Sequence, residues 1–142
     1  MIWKLRPQVQ ELNDFARGTM NETLGIEFTE IGDDFLSARM PVDHRTHQPY
    51  GILHGGASAT LAETLGSVAG TFCVEIEKKV IVGLELNCNH VRSVREGFVY
   101  GTARPIHLGG ATQIWDIRIV DERERLVCVA RLTLAVLDAK RD

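Results

Sequence analysis

A chain of 142 residues, 44% hydrophobic and 25% charged, can close a hydrophobic core of its own, which excludes an intrinsically disordered segment. Its formal net charge of -3 excludes a general nucleic-acid binder, because such proteins meet phosphates with a positive field. An anionic ligand would have to be met here by a local group of cations.

In chain order, residues 9–17 carry Leu12, Phe15 and Ala16 at helical spacing and predict a short N-terminal helix. Residues 25–31 and 35–42 alternate as strands about a turn at Gly32-Asp33-Asp34. The stretch 42–50 is polar, and Pro49 disfavours helix for the residue before it. The longest helical candidate spans 55–70, where Leu61, Leu65 and Val68 make an apolar stripe at i, i+4 and i+7. The rest of that segment is crowded with Gly55, Gly56, Ala57, Ala59, Ala62, Gly66, Ala69 and Gly70. Each interior glycine costs a helix about 1 kcal/mol against alanine, so the fold must need other elements close to this one.

Strands follow. Val80, Val82, Leu84 and Leu86 alternate with Ile81, Gly83, Glu85 and Asn87. Residues 98–106 come after a turn at Glu96-Gly97, and 112–120 come after Gly109-Gly110. A turn at 121–125 leads into a last strand at 126–137, with Leu126, Cys128, Ala130, Leu132, Leu134 and Val136 on one face. The gaps are too short for parallel crossovers, so the pairing is antiparallel. An early hairpin, one long helix and a later meander predict an α+β domain in which an antiparallel sheet wraps one long central helix, the hotdog arrangement. With no internal repeat and no Pro/Gly-rich linker, residues 1–142 read as a single domain.

Cys73, Cys88 and Cys128 are widely spaced and form neither a C-x-x-C pair nor a disulfide framework, which suits core thiols in a reducing compartment. The opening Met1-Ile2-Trp3-Lys4-Leu5-Arg6-Pro7 lacks the apolar stretch and cleavage site of a secretory signal. No apolar run approaches the roughly 20 residues of a spanning helix. A cytoplasmic protein is expected.

The chemistry concentrates between Thr46 and Ser67. On a helical wheel Gly56, Thr60, Glu63 and Ser67 share one face, a polar stripe with a single carboxylate. A lone helical Glu is usually a solvated residue, but the neighbours here are nearly all small or apolar and favour a buried or cleft position. His54, Gly55 and Gly56 fall where the helix should begin. Unsatisfied N–H groups and the positive dipole end can stabilise a developing oxyanion there. Glycine also lets a ligand approach the backbone, although a Gly pair can equally well just shape a turn.

The pattern Gln48-Pro49-x-Gly51-x-Leu53-His54-Gly55-Gly56-Ala57, followed by Leu61-Ala62-Glu63-Thr64 and Gly66-Ser67, resembles the hotdog acyl-CoA thioesterases related to those of phenylacetic-acid degradation. The resemblance is nearest to the branch of aryl-CoA hydrolases with a helix glutamate, and it runs from the N-terminal Met1-Ile2-Trp3-Lys4 to the last strand. It implies hydrolysis of an acyl-CoA with an aromatic or polycyclic acyl group. Glu63 is then the nucleophile or general base, and the amide of Gly55 polarises the thioester carbonyl. Gln48 and His54 position the thioester, and Ser67 helps to place the attacking water. His90, Val91, Arg92 and Ser93 match a part of the family that contacts the CoA nucleotide. So do Gly83 and the loop through His107, Leu108, Gly109 and Gly110 to Thr112.

Arg92, with Arg95 nearby, offers fork-shaped donors to phosphates, though a solvated strand end would carry the same residues. The family has a basic side chain in the loop Gly109-Gly110-Ala111-Thr112. This sequence has none there, which weakens the expectation of a phosphate contact at that point. His44 and His47 read as ordinary loop residues. No two-His-plus-carboxylate spacing appears, so no metal is expected, and coenzyme A enters as part of the substrate rather than as a cofactor. No G-x-S-x-G elbow supports a serine hydrolase.

Two other classes are compatible with such a fold, an acyl-thioester hydratase or dehydratase and a non-catalytic acyl-CoA binder. The motif resembles the thioesterase pattern instead. The partners implied are an acyl-CoA and an acylated carrier protein, with no nucleic acid and no membrane. Helix geometry adds a second chain. Gly55 and Glu63 lie roughly 12 Å apart along one helix, whereas groups acting on one carbonyl must lie about 3 Å apart. A homodimer is therefore the minimum, with Glu63 from one chain and His54, Gly55 and Gln48 from the other. The resemblance extends this to a homotetramer, a dimer of dimers.

Overall fold

The structure, a computed structural model, describes residues 1–140. In chain order its elements are α1 (Val9–Phe15), α2 (Met20–Thr23), β1 (Glu27–Ile31), β2 (Leu36–Pro41), α3 (Gly55–Phe72), β3 (Lys79–His90), β4 (Phe98–Leu108), β5 (Thr112–Val120) and β6 (Leu126–Asp138). The six strands form one sheet in the order β1-β2-β4-β5-β6-β3, and every neighbouring pair is antiparallel. Helix α3 crosses the concave face on its way from β2 to the far edge strand β3. This is the hotdog arrangement that the sequence predicts.

The small residues of α3 are explained by what lies beneath them. The helix buries Ala57, Ser58, Leu61, Ala62, Leu65, Gly66, Ala69 and Gly70 against Trp115, Ile117, Leu132 and Leu134 of the sheet. A Cβ at Gly66 would lie 2.5 Å from Leu132 Cδ2, and one at Gly70 would lie 2.5 Å from Gln113 Oε1 and 2.6 Å from Leu134 Cδ1. The buried Gln113 is itself satisfied. Its Oε1 accepts from Trp115 Nε1 at 3.0 Å, and its Nε2 donates to the Gly70 carbonyl at 3.3 Å.

Four local expectations change. Strand β3 carries a β-bulge between Gly83 and Glu85, so Leu84 has no partner residue on β6 and the alternation reverses parity there. Ile81 before the bulge, and Leu86 and Cys88 after it, pack against the core, whereas Val80, Val82 and Leu84 are 45%, 44% and 61% exposed. Phe15, expected on the apolar stripe of the first helix, is 89% exposed, and Leu12 and Ala16 do the packing. The four-residue helix α2 was not legible in the pattern, and it docks on α3 through Asn21 Oδ1, which accepts from Thr64 Oγ1 at 3.1 Å. Strand β4 runs on to Leu108 through a bulge at Pro105/His107.

The three cysteines are free, and burial pushes the Cys73 and Cys128 thiols up to about 12, so both stay protonated at neutral pH. Among the described residues no helix is long and apolar enough to cross a membrane.

The close seat of α3 yields a test. Gly70→Ala should gain about 1 kcal/mol of helix propensity yet destabilise the protein by about 1–3 kcal/mol net, because it displaces Gln113 and Leu134 in a packed core. Urea unfolding measures this, and a stabilised variant would show that the close approach is not needed.

Candidate active site

The start of α3 is built around one histidine. His54 is its extended N-cap residue, and its Nδ1 accepts from the Gly56 amide at 2.7 Å. The His54 carbonyl accepts from the amides of Ala57 at 3.0 Å and Ser58 at 3.3 Å. Among the described residues the Gly55 N–H has no acceptor, and no acidic side chain occupies the first turn. The positive end of an 18-residue helix is therefore open at Gly55. With Nδ1 accepting, the imidazole proton sits on Nε2, which remains a donor.

The loop ahead of the helix is tied down at both ends. Thr46 Oγ1 donates to the Pro41 carbonyl at 2.7 Å, and the His54 amide donates to the Thr46 carbonyl at 2.8 Å. Hydrogen bonds from the Arg45 guanidinium hold the Asp43 carboxyl at about 2, and the Asp43 carbonyl accepts from the Thr46 and His47 amides. Gly51 supplies the left-handed residue of the tight turn, at φ 76. Gln48 Oε1 accepts from the Tyr50 amide, which leaves its Nε2 as a donor. His47, which the sequence suggests is an ordinary loop residue, bonds the Arg95 carbonyl through Nε2 at 2.8 Å and fastens this loop to the one after β3.

These ties bring several predicted residues together. Gln48, Gly55, His90, Val91, Arg92 and Ser93 line one cavity of about 420 Å³, together with Ile52, Leu53, Ser58 and Val127. The His90 ring lies over Gly55, where a Cβ would stand 2.9 Å from Nε2, so a larger residue there would have to push the ring aside. Arg92 enters no salt bridge among the described residues. Arg95 does not join it. Arg95 lines a separate cavity of about 380 Å³ with Asp121, Glu122, Arg123 and Arg125, and only Ser93 touches both. His54 faces the other side of the helix start, in a shallower cavity of about 240 Å³ with Arg45, His47 and Thr60.

The remaining predicted residues lie elsewhere. Glu63 and Ser67 sit half-buried farther along α3, outside the cavity at its start. Glu63 leans on the edge strand, where a Cβ at Gly83 would lie 2.7 Å from Glu63 Oε1. Its carboxylate makes no hydrogen bond or salt bridge among the described residues. Burial pushes the Cys88 thiol up, and the charges of Glu63 and Glu85 add to that rise, so the Glu63 carboxylate and Cys88 feel each other across the helix–strand contact. His107, Leu108, Gly109 and Gly110 form the hairpin between β4 and β5, with the Gly109 amide donating to the Thr112 carbonyl at 2.9 Å. Along β6, His90 pairs with Cys128 and Thr112 with Ala135, so the hairpin is roughly 23 Å from the Arg92 end of the sheet. One protomer thus holds three separate clusters of the predicted site.

Ser58 is 1% exposed and lines the cavity beside Gly55, yet it was not singled out from the sequence. It lies three residues after Gly55, so the helical wheel contained that signal. Val127 could not have been found, because its place depends on the β6 register.

One antiparallel sheet closed around a long small-residue helix, with a free amide at the helix start, is the architecture of a class, the thioester hydrolases of the hotdog fold. Residues 50–128 match the family model of the Thioesterase superfamily, and the chain belongs to that family. It is 57% identical over 137 residues to the 1,4-dihydroxy-2-naphthoyl-CoA hydrolase of Escherichia coli, covering 96% of this chain and 100% of that one. It is 51% identical over 137 residues to the proofreading thioesterase EntH of Cronobacter turicensis, covering 96% and 99%. Among solved structures it is similar to a variant of thioesterase PA1618 from Pseudomonas aeruginosa, with a TM-score of 0.97 at 46% identity, covering 98% of this chain and 100% of that one. Thioesterase HI1161 from Haemophilus influenzae superposes with a TM-score of 0.94 at 48% identity, covering 97% and 96%. The protein is a thioesterase.

The histidine cap can be separated from the histidine donor. His54→Ala should lower stability by about 1 kcal/mol through loss of the cap, while His54→Asn, which keeps a cap acceptor, should stay within about 0.5 kcal/mol of the wild type. Equal urea midpoints for the two variants would contradict the capping role.

Proposed function

We propose that the enzyme hydrolyses an acyl-CoA with an aromatic or polycyclic acyl group, such as 1,4-dihydroxy-2-naphthoyl-CoA, to the free acid and coenzyme A. The observation that carries this reading is the unpaired Gly55 amide at the mouth of a cavity that also holds Gln48, His90 and Arg92. Arg92 grips a phosphate of the nucleotide end. The thioester carbonyl accepts from the Gly55 N–H, the donor left free on Gln48 Nε2 holds it in place, and His54, facing the other side of the helix start, keeps that N–H aimed by capping the next amide. As the tetrahedral centre forms, the negative charge that gathers on oxygen meets the helix dipole. Glu63 either takes a proton from the water that Ser67 helps to place, or attacks the carbonyl itself to form an anhydride that water then opens. In both routes the coenzyme A thiolate leaves and takes up a proton. These groups need no metal and no cofactor. An acylated carrier protein presents the same phosphopantetheine thioester and is a second substrate class. The identity of 57% to a 1,4-dihydroxy-2-naphthoyl-CoA hydrolase supports the choice of acyl group.

Two chains share each site. Gly55 lies at the His90 level of β3 and Glu63 at the Gly83 level, roughly 12 Å apart along the helix. Strand β3 is an open edge with Val80, Val82 and Leu84 exposed, a surface suited to a second copy. Antiparallel pairing of two such edges about a point between Leu86 and Asn87 would set Gly83 of one chain opposite the partner subunit's His90. Glu63 would then face the partner subunit's Gly55. The distant His107–Gly110 hairpin can reach the coenzyme only across a further interface, which favours a dimer of dimers. The cytoplasm, with its pool of acyl-CoA, is the compartment we assign.

Steady-state assays over aryl, short-chain and long-chain acyl-CoAs, with an aryl-loaded carrier protein, should rank the aryl-CoAs first in kcat/KM. On the best substrate Glu63→Gln should lower kcat at least about 100-fold while binding survives. Retention of more than about a tenth of kcat would remove Glu63 from the chemistry. Co-expression of Glu63→Ala with His54→Ala checks the shared site. Each parent should be inactive, and random pairing should leave roughly a quarter of all sites intact. A purified mixed dimer without turnover would refute the two-chain arrangement.

A further inference from the structure

The carboxylate of Glu63 meets the sheet at Gly83. A Cβ there would lie 2.7 Å from Glu63 Oε1 and 3.8 Å from Glu63 Cδ, and would meet nothing else within 4 Å. Two usual reasons for a glycine are absent. Its φ is outside the left-handed region, so an L side chain fits the backbone. Within one protomer the position is also exposed on an edge strand, so no packing inside the chain demands a small residue. The β-bulge begins at this residue, with Gly83 opposite Leu134, Glu85 opposite Thr133, and Leu84 left over. Bulges beside active sites re-aim the chain, and here bulge and glycine together open a notch in β3 that faces the middle of α3.

We infer that Gly83 is a positioning residue: its missing side chain seats the Glu63 carboxylate against the strand, an assignment that rests on Glu63 being the catalytic carboxylate. With a methyl group at this position, Oε1 has to retreat by about 0.7 Å to reach ordinary contact. A misplacement of that order can cost a reaction about 10- to 100-fold. The displaced atom is the free end of a flexible, half-buried side chain, so the retreat costs the fold little. Alanine is also the better strand residue in conformational entropy. The role differs from a CoA contact, which the resemblance assigned to this residue. A lost CoA contact would raise KM, whereas a displaced carboxylate lowers kcat.

The test is a double-mutant cycle on the best acyl-CoA. Gly83→Ala should lower kcat about 10- to 100-fold with KM within about threefold of wild type and Tm within about 2 °C. Glu63→Asp withdraws the carboxylate by one methylene and clears the methyl group. In that background Gly83→Ala should therefore change kcat less than about threefold. A crystal structure of Gly83→Ala should show Glu63 Oε1 shifted by about 0.5 Å or more, and this measurement stands even if Glu63→Asp has no measurable turnover. Equal effects in both backgrounds, a rise in KM alone, a large drop in Tm or an unmoved carboxylate each overturn the inference. Failure of Glu63 as catalyst shows separately, as an active Glu63→Gln.

Discussion

The seating of α3 in the sheet is the constraint on which the rest depends. Gly66 over Leu132, and Gly70 over Gln113 and Leu134, let the helix axis come closer than alanine would allow. Each such glycine costs about 1 kcal/mol in helix propensity. Burial of Leu61 and Leu65 against the sheet offsets this, at about 1.5–3 kcal/mol for each large apolar side chain. A helix held so closely has little freedom to slide. Its start is thereby set under the His90 ring, and its middle against the notch in β3.

The electrostatics follow from that placement. A carboxylate cap would have neutralised the positive end of α3, but His54 caps through a neutral ring nitrogen. With no acidic residue in the first turn, the field at Gly55 remains open to a ligand. The chain is acidic as a whole, at -3, so under the proposed function the attraction for an anion would be local, with Arg92 at the cavity wall to supply it. Glu63 lies beyond that positive end, without a cation of its own among the described residues.

Distance then limits what one protomer can do. Amide and carboxylate are separated by two turns of helix, and Arg92 and the β4–β5 hairpin by most of the length of β6. The proposed two-chain site would use the exposed β3 edge, because an edge open to a second copy could also bring the other half of the site. The same strand carries the notch for Glu63 at Gly83 and the ring over Gly55 at His90, so one edge serves both halves.

Much of this was legible in the sequence, because helices and strands write themselves as local periods. The strand at 112–120 matches β5 at both ends, α3 begins at Gly55 as its motif requires, and the small residues of that helix announced close packing before any contact was known. The pattern from Gln48 to Ser67 carried the family. Tertiary structure decided what depends on contacts between distant residues. A one-residue bulge reverses which alternate residues of β3 face the core, and no period marks it. Helix α2 has four residues, too few for any pattern, and is tied to α3 by the bond between Asn21 and Thr64. Arg92 and Arg95, three residues apart, diverge into separate cavities because the loop that carries them turns between Leu53 and His47. Local order is a property of neighbouring residues, and a sequence displays neighbours directly. Register, edge position and the direction of a loop side chain are settled by pairings tens of residues apart, and those exist only once the chain has closed on itself.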